Sequence, residues 1–291
     1  MKLFKNDQGD VKLIWKVTIL VGGFFVVTIL LREALVWLVA TGMIHENITS
    51  TVQARNFINE DLAGGNLLAL SEGILWFFLT WILVSVIEKR PLKGQLMGFE
   101  WHKNSIWMLL GGFIMAAAYV YLAIGIDHVF LGGNSKNIMI GITGNAGIII
   151  FTIISAVILA FSQELIFRSY LQDLFIEKFG IGGGVVLTSI LFVFCTVIFR
   201  MLPIIELLSG FFLYLGIGYM YYRVRSLYLV GTLHAALLLF PVLLSVAAPA
   251  EERFLASVLF MIAVFYYFNR KDEKAKQKVT EPSKHPGMMH G

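Results

Sequence analysis

Eight apolar stretches, each close to the length of a membrane crossing, constrain this chain more than any other feature. They run roughly Leu13–Leu31, Leu67–Ile87, Ser105–Ile126, Ala146–Phe161, Gly183–Phe199, Ile204–Tyr222, Leu227–Val246 and Phe254–Phe268. A bilayer core about 30 Å thick is crossed by about 20 residues of helix. The 291 residues therefore leave room for about eight crossings and short loops. Composition closes the other route. Only 14% of the residues are charged, against about 25% in ordinary soluble domains, too few to cover a water-soluble globule. The expected fold is all-α: a single polytopic domain of about eight transmembrane helices over residues 1–268. The remainder, 269–291, is polar and rich in Lys, and reads as a basic, disordered cytoplasmic tail. Lys2, Lys5 and Lys12 precede the first stretch as they would in a signal peptide. That stretch is too long for such a segment and has no small-residue cleavage site, so it is expected to stay as the first helix.

Charge placement orients the chain. With the N-terminus inside and eight crossings, the outer segments hold Arg55, Lys136, Arg200 and Arg253, and Arg32 marks the far end of the first stretch. The other 18 of the 23 Lys and Arg residues fall on the inner side. This bias is the positive-inside pattern. It predicts a multi-pass protein of the cell membrane with both termini cytoplasmic. It also accounts for the net charge of +4 without nucleic acid, leaving membrane lipids as the expected surface partner.

Ionisable residues inside apolar runs are costly and mark function. Glu72 opens the second stretch and reads as interfacial. Gln163, Glu164 and Arg168 end the fourth, and His234 lies well inside the seventh. Glu164 and Arg168 are four apart and share a helix face. They form either an ion pair closing a helix end or a polar site between helices. His234 needs a polar partner in an apolar setting; Glu164 and Thr196 are nearest in depth. The single cysteine, Cys195, cannot form an internal disulfide and reads as a small core residue. Catalytic zinc takes about three protein ligands. Glu164 and His234 make two at most, so no metal and no cofactor is expected.

These residues carry a resemblance. The string Gln163-Glu164-Leu165-Ile166-Phe167-Arg168, then Phe192-Val193-Phe194-Cys195-Thr196, then His234-Ala235-Ala236-Leu237-Leu238 fall in order on successive stretches. Together with Phe167–Gln172 and Arg90-Pro91-Leu92, they resemble the CPBP family over about residues 88–239. This is the CAAX-protease and bacteriocin-processing family, also called Abi or lysostaphin-resistance-like. The resemblance implies about eight membrane helices and an intramembrane endopeptidase site. Its motifs read Glu-Glu-x-x-x-Arg, Phe-x-x-x-His and His-x-x-x-Asn or Asp. Here Glu164, Arg168 and His234 match. Gln163 replaces the Glu that the resemblance makes the water-activating base, Thr196 replaces a His, and Leu238 replaces the Asn.

The departures bear on chemistry. A glutamine amide cannot take a proton from water near neutral pH. A leucine donates nothing to an oxyanion, and losing one such donor costs about 3–4 kcal/mol of transition-state stabilisation. The expected function is that of a non-proteolytic, CAAX-protease-like membrane protein that binds membrane proteins or peptides through the old substrate cavity. The alternative is an active endopeptidase using Glu164 and His234. The cavity is expected to open toward the cytoplasmic half, because Glu164 and Arg168 lie near the inner interface.

Overall fold

The computed structural model describes residues 11–44, 47–89, 98–130, 146–197, 202–243 and 250–280. They form α1 (Leu13–Ala40), α2 (Thr51–Glu60), α3 (Leu62–Trp81), α4 (Ser105–Phe130), α5 (Ala146–Glu164), α6 (Asp173–Val197), α7 (Ile204–Val224), α8 (Leu227–Leu243) and α9 (Ala250–Thr280). Two wider π-helical turns extend α3 through Ile82–Ile87 and join α5 to α6 through Leu165–Gln172. Five helical stretches among the described residues are long and apolar enough to cross a membrane, and α8 is a shorter apolar helix. The protein is an all-α membrane protein, with a backbone that satisfies its own hydrogen bonds where water cannot.

Three elements differ from the sequence expectation. The amphipathic α2 is an addition. Ser50 caps it by accepting from the Gln53 amide at 3.3 Å, and its buried Ala54 and Ile58 close a small cluster with Leu35, Val36 and Val39 of α1. The fourth apolar stretch does not stop at Phe161. The chain stays helical through the motif, and the break comes at Gly180, whose φ of 75° leaves the helical region. Finally, α9 passes Phe268 and continues to Thr280. Tyr219 of α7 donates to Asn269 at 3.0 Å, and Arg223 pairs with Asp272, so α7 supports the extension. Residues 281–291 and Arg90-Pro91-Leu92 lie outside the described residues.

Helix pairs come together at glycines. A Cβ on Gly73 of α3 would lie 2.8 Å from the Leu159 backbone of α5, and one on Gly112 of α4 would lie 2.4 Å from the Leu229 carbonyl of α8. Small residues let membrane helices pack at backbone distance, where van der Waals contact replaces the missing hydrophobic drive. Between these pairs an aromatic relay crosses the molecule. Phe24 stacks on Trp76 at 3.5 Å, Trp76 meets Phe167 at 5.5 Å, Phe167 meets Phe192 at 4.8 Å, and Phe192 lies 3.8 Å from Tyr214. It links α1, α3, the π-helical turn, α6 and α7.

At the α1 N-terminal end, Lys16 is buried and paired with Glu88, which also accepts from the Tyr170 hydroxyl at 2.7 Å. Arg225 pairs with Asp173 at the same end. The opposite end carries α2 and has ion pairs of its own, Arg55 with Glu33 at 2.6 Å and Arg253 with Glu206 at 2.9 Å.

Candidate functional site

The site begins at the π-helical turn. Its wider winding brings residues four apart nearer to one line than an α-helix does. Glu164, Arg168 and Gln172 therefore form a column facing α7. The Arg168 Nε donates to Glu164 Oε2 at 3.2 Å, one Nη to Gln172 Oε1 at 3.4 Å, and the other Nη to the Tyr214 carbonyl at 3.1 Å. Gln172 in turn donates to the Gly218 carbonyl at 2.9 Å. Glycine at 218 leaves room for this column: a Cβ would stand 2.9 Å from Gln172 Oε1 and 3.0 Å from the guanidinium, and both side-chain ends would have to shift.

The second oxygen of Glu164 faces α8. His234 Nδ1 is 2.9 Å from Glu164 Oε1, and His234 Nε2 is 3.0 Å from the Tyr214 hydroxyl. A carboxylate only accepts, so Nδ1 carries the proton toward Glu164 and Nε2 accepts from Tyr214. Glu164 and Arg168 are 0% exposed and His234 is 2% exposed. The Arg168 guanidinium also lies 5.9 Å from the Phe192 ring and 5.7 Å from the Tyr214 ring. The result is a fully buried knot in which the charges of one Glu and one Arg offset each other.

The substituted motif residues occupy a different place. Gln163, Thr196 and Leu238 all line a cavity of about 580 Å³ between α1, α3, α5, α6 and α8. His234 and Tyr214 form its boundary with the knot, whereas Glu164 and Arg168 are absent from the lining. A second cavity of about 290 Å³ on the α4, α7 and α9 side meets the first at Thr196, Tyr214, His234 and Leu238. The Thr196 hydroxyl donates to the Phe192 carbonyl of its own helix at 3.0 Å, so it is Glu164 that takes His234.

The larger cavity runs from Gln163 and Phe167 toward Arg32, Asn59 and Gly65, at the α2 end, away from the N-terminus of α1. The knot closes the opposite direction. Glu72 lies ten residues inside α3 and lines the cavity.

Some site residues have no mark in the sequence. Tyr214 stands among several tyrosines of an apolar run, and nothing local shows that its hydroxyl meets His234. Gln172 carries a signal, being four residues beyond Arg168 in the same helical column.

Chemically, the knot positions helices: each Glu164 oxygen accepts a hydrogen bond from the protein, and the carboxylate is fully buried. Nε2 of His234 is the one ring nitrogen near the cavity, and Tyr214 donates to it. Among the described residues, no three His, Cys, Asp or Glu side chains converge as a metal site.

A search of curated proteins finds no match for the chain. Residues 145–240 match the family described as Rce1-like, type II CAAX prenyl endopeptidase Rce1-like. That segment spans the helices carrying all three motifs, from α5 through most of α8. This segment, which builds the knot and three walls of the cavity, is similar to that family and supports a CPBP-family membrane protease homologue.

Proposed function

We propose that this CAAX-protease-like membrane protein is non-proteolytic and holds a membrane protein or a membrane-borne peptide in the cavity beside His234. One observation carries the reading: the three motif positions that have lost their chemistry, Gln163, Thr196 and Leu238, all line the cavity. Gln163 cannot act as a base, Thr196 does not titrate usefully, and Leu238 donates no hydrogen bond to an oxyanion. The matching residues Glu164 and Arg168 lie on the other side of His234, fully buried and satisfied by protein atoms.

The geometry weighs against an active endopeptidase built on Glu164. A general base must reach a water or its proton within about 3 Å. Glu164 is 0% exposed and absent from the cavity lining, and each of its oxygens accepts a hydrogen bond from the protein, one from Arg168 and one from His234. The test is incubation of the purified protein in detergent with single-span peptides, including peptides ending in a prenylated cysteine motif. The expected result is no turnover above background. Cleavage that disappears in Glu164→Gln would overturn the reading.

The charge bias supports a cell-membrane protein with both termini cytoplasmic. The cavity then extends toward the outer leaflet. Reporter fusions after Glu252 and at the C-terminus are expected to report opposite faces. Matching faces would rule out this orientation.

A further inference from the structure

Two cavities meet at four residues, and the hydrogen bonds there all run into the protein. Thr196, Tyr214, His234 and Leu238 line both the larger cavity of about 580 Å³ and the smaller one of about 290 Å³. Each proton at this neck is already given away. The Thr196 hydroxyl donates to the Phe192 carbonyl at 3.0 Å, the Tyr214 hydroxyl to His234 Nε2 at 3.0 Å, and His234 Nδ1 to Glu164 at 2.9 Å. Leu238 offers nothing polar. What the neck still offers is lone pairs, because a hydroxyl oxygen that has donated its proton keeps its acceptor sites. Thr196 is exposed where Tyr214 is half-buried, and it takes no part in the knot.

A neck that accepts and does not donate sorts ligands by their chemistry. A carboxylate, an ester or a phosphate brings only acceptors. Lone pair would face lone pair, and polar atoms would be left unpaired in a poorly solvated place. A group with an N–H is matched. In a helical peptide each N–H is spent on the carbonyl four residues earlier, so the matched ligand is a peptide segment that is not helical at this point. Gln163 lines the larger cavity alone. Its amide both donates and accepts, and so suits the carbonyl of such a segment.

The smaller cavity, beyond the neck, pairs its polar groups largely with one another. Arg253 donates to Glu206 at 2.9 Å, and the Tyr119 and Ser209 hydroxyls meet that of Ser257 at 2.9 and 3.1 Å. Much of the remaining lining is aliphatic, with Val120, Ile124, Val193 and Leu237 among it. Its volume falls just below the ~300–1,000 Å³ of pockets that hold whole small molecules. It suits one bulky apolar side chain.

We propose that the neck is a recognition point for a non-helical peptide segment: Thr196 Oγ1 accepts a hydrogen bond from one backbone N–H, and an apolar side chain beside that amide fills the smaller cavity. Position 196 then has a role that needs no titratable group. This proposal rests on the cavity's being a peptide-binding site, as proposed above, and names the chemistry of that site.

The experiment uses the full-length protein in nanodiscs of phosphatidylcholine, whose headgroup has no N–H or O–H to donate. The probes are short fluorescent Leu/Ala peptides with a central Phe, read by anisotropy. In a matched series each central amide in turn is replaced by an ester, which removes the N–H and keeps the shape. The expected result is that the ester at one position weakens binding about tenfold, about 1.4 kcal/mol, while its neighbours have little effect. Thr196→Val, which removes the oxygen and keeps the shape, should weaken the all-amide peptide by a similar factor and abolish the ester effect. Thr196→Ser should preserve both. A general loosening of the site would instead leave the ester effect in place, since independent changes add. Val193→Phe, which fills the smaller cavity, should remove the preference for a central Phe over a central Ala. The ester series on the unaltered protein tests the donor requirement whatever the variants do to folding. Binding with no ester effect at any position, or an ester effect undiminished in Thr196→Val, would overturn this inference and leave the peptide-binding function standing. A Phe preference untouched by Val193→Phe would overturn the placement of the side chain. Binding of no peptide would overturn both readings. An ester effect that vanishes when phosphatidylethanolamine, which brings N–H donors of its own, is added would assign Thr196 to a lipid headgroup and overturn the peptide.

Discussion

Two regions meet at His234 and follow opposite rules. On one side is the knot of Glu164, Arg168, Gln172 and Tyr214, hydrogen-bonded together with its charges buried. On the other is the cavity, lined by Gln163, Thr196 and Leu238. The matching Glu164 and Arg168 lie in the knot, the matching His234 stands on the boundary, and the three substituted residues line the cavity. Adjacent positions in one motif, 163 and 164, fall on opposite sides of this boundary. The physics explains the division. Removing one partner of a buried ion pair strands the other and costs about 3–5 kcal/mol, so the knot resists change whatever the protein does. A side chain facing a cavity has no such partner, and its identity follows function alone.

The largest expected effect would come from breaking the knot. Arg168→Met strands the Glu164 carboxylate and is expected to destabilise the protein by about 3–5 kcal/mol, read as thermal unfolding in detergent. The double variant Arg168→Met with Glu164→Gln should cost less than the sum of the single changes, with coupling above about 1 kcal/mol, more than exposed pairs reach. Additivity would mean that the pair is solvated and would erase the contrast between the two regions.

Gly218→Ala tests the knot from its backbone side. The added methyl group meets Gln172 and Arg168 at about van der Waals overlap, and overpacking of this kind costs about 1–3 kcal/mol. A neutral result would show that the column of Glu164, Arg168 and Gln172 is looser than its hydrogen bonds indicate.

The smallest effects are expected on the cavity side. Gln163→Glu, Thr196→His and Leu238→Asn, each made alone, should change stability by no more than about 1 kcal/mol, because the side chains enter open volume rather than packed core. A loss comparable to that of Arg168→Met at any of them would break the comparison. As a reference, Arg225→Ala removes an ion pair to Asp173 in which Arg225 is half-exposed, and such pairs contribute about 0–1 kcal/mol.

Much of the fold was legible in advance for a simple reason. Apolar length in a membrane protein is set by the bilayer, so stretches such as Ser105–Ile126 and Ile204–Tyr222 start where α4 and α7 start and end within about a turn of their ends. The ends were harder to place. The helix runs past Phe161 because a buried polar column can continue a helix where hydropathy falls. It runs past Phe268 because Asn269 and Asp272 find partners on α7.

The sequence by itself determined the all-α membrane class, the order of the motifs and the i, i+4 relation of Glu164 and Arg168, since each depends on local spacing or on length against a bilayer. Tertiary structure alone decided the rest. Tyr214 became the partner of His234 because α7 and α8 are fixed against each other through the knot. Glu72 became a cavity residue because Gly73 lets α3 lie at backbone distance from α5. The cavity runs toward α2 because the knot closes its other end. Those are distances between helices far apart in the chain, and no local pattern of side chains encodes them.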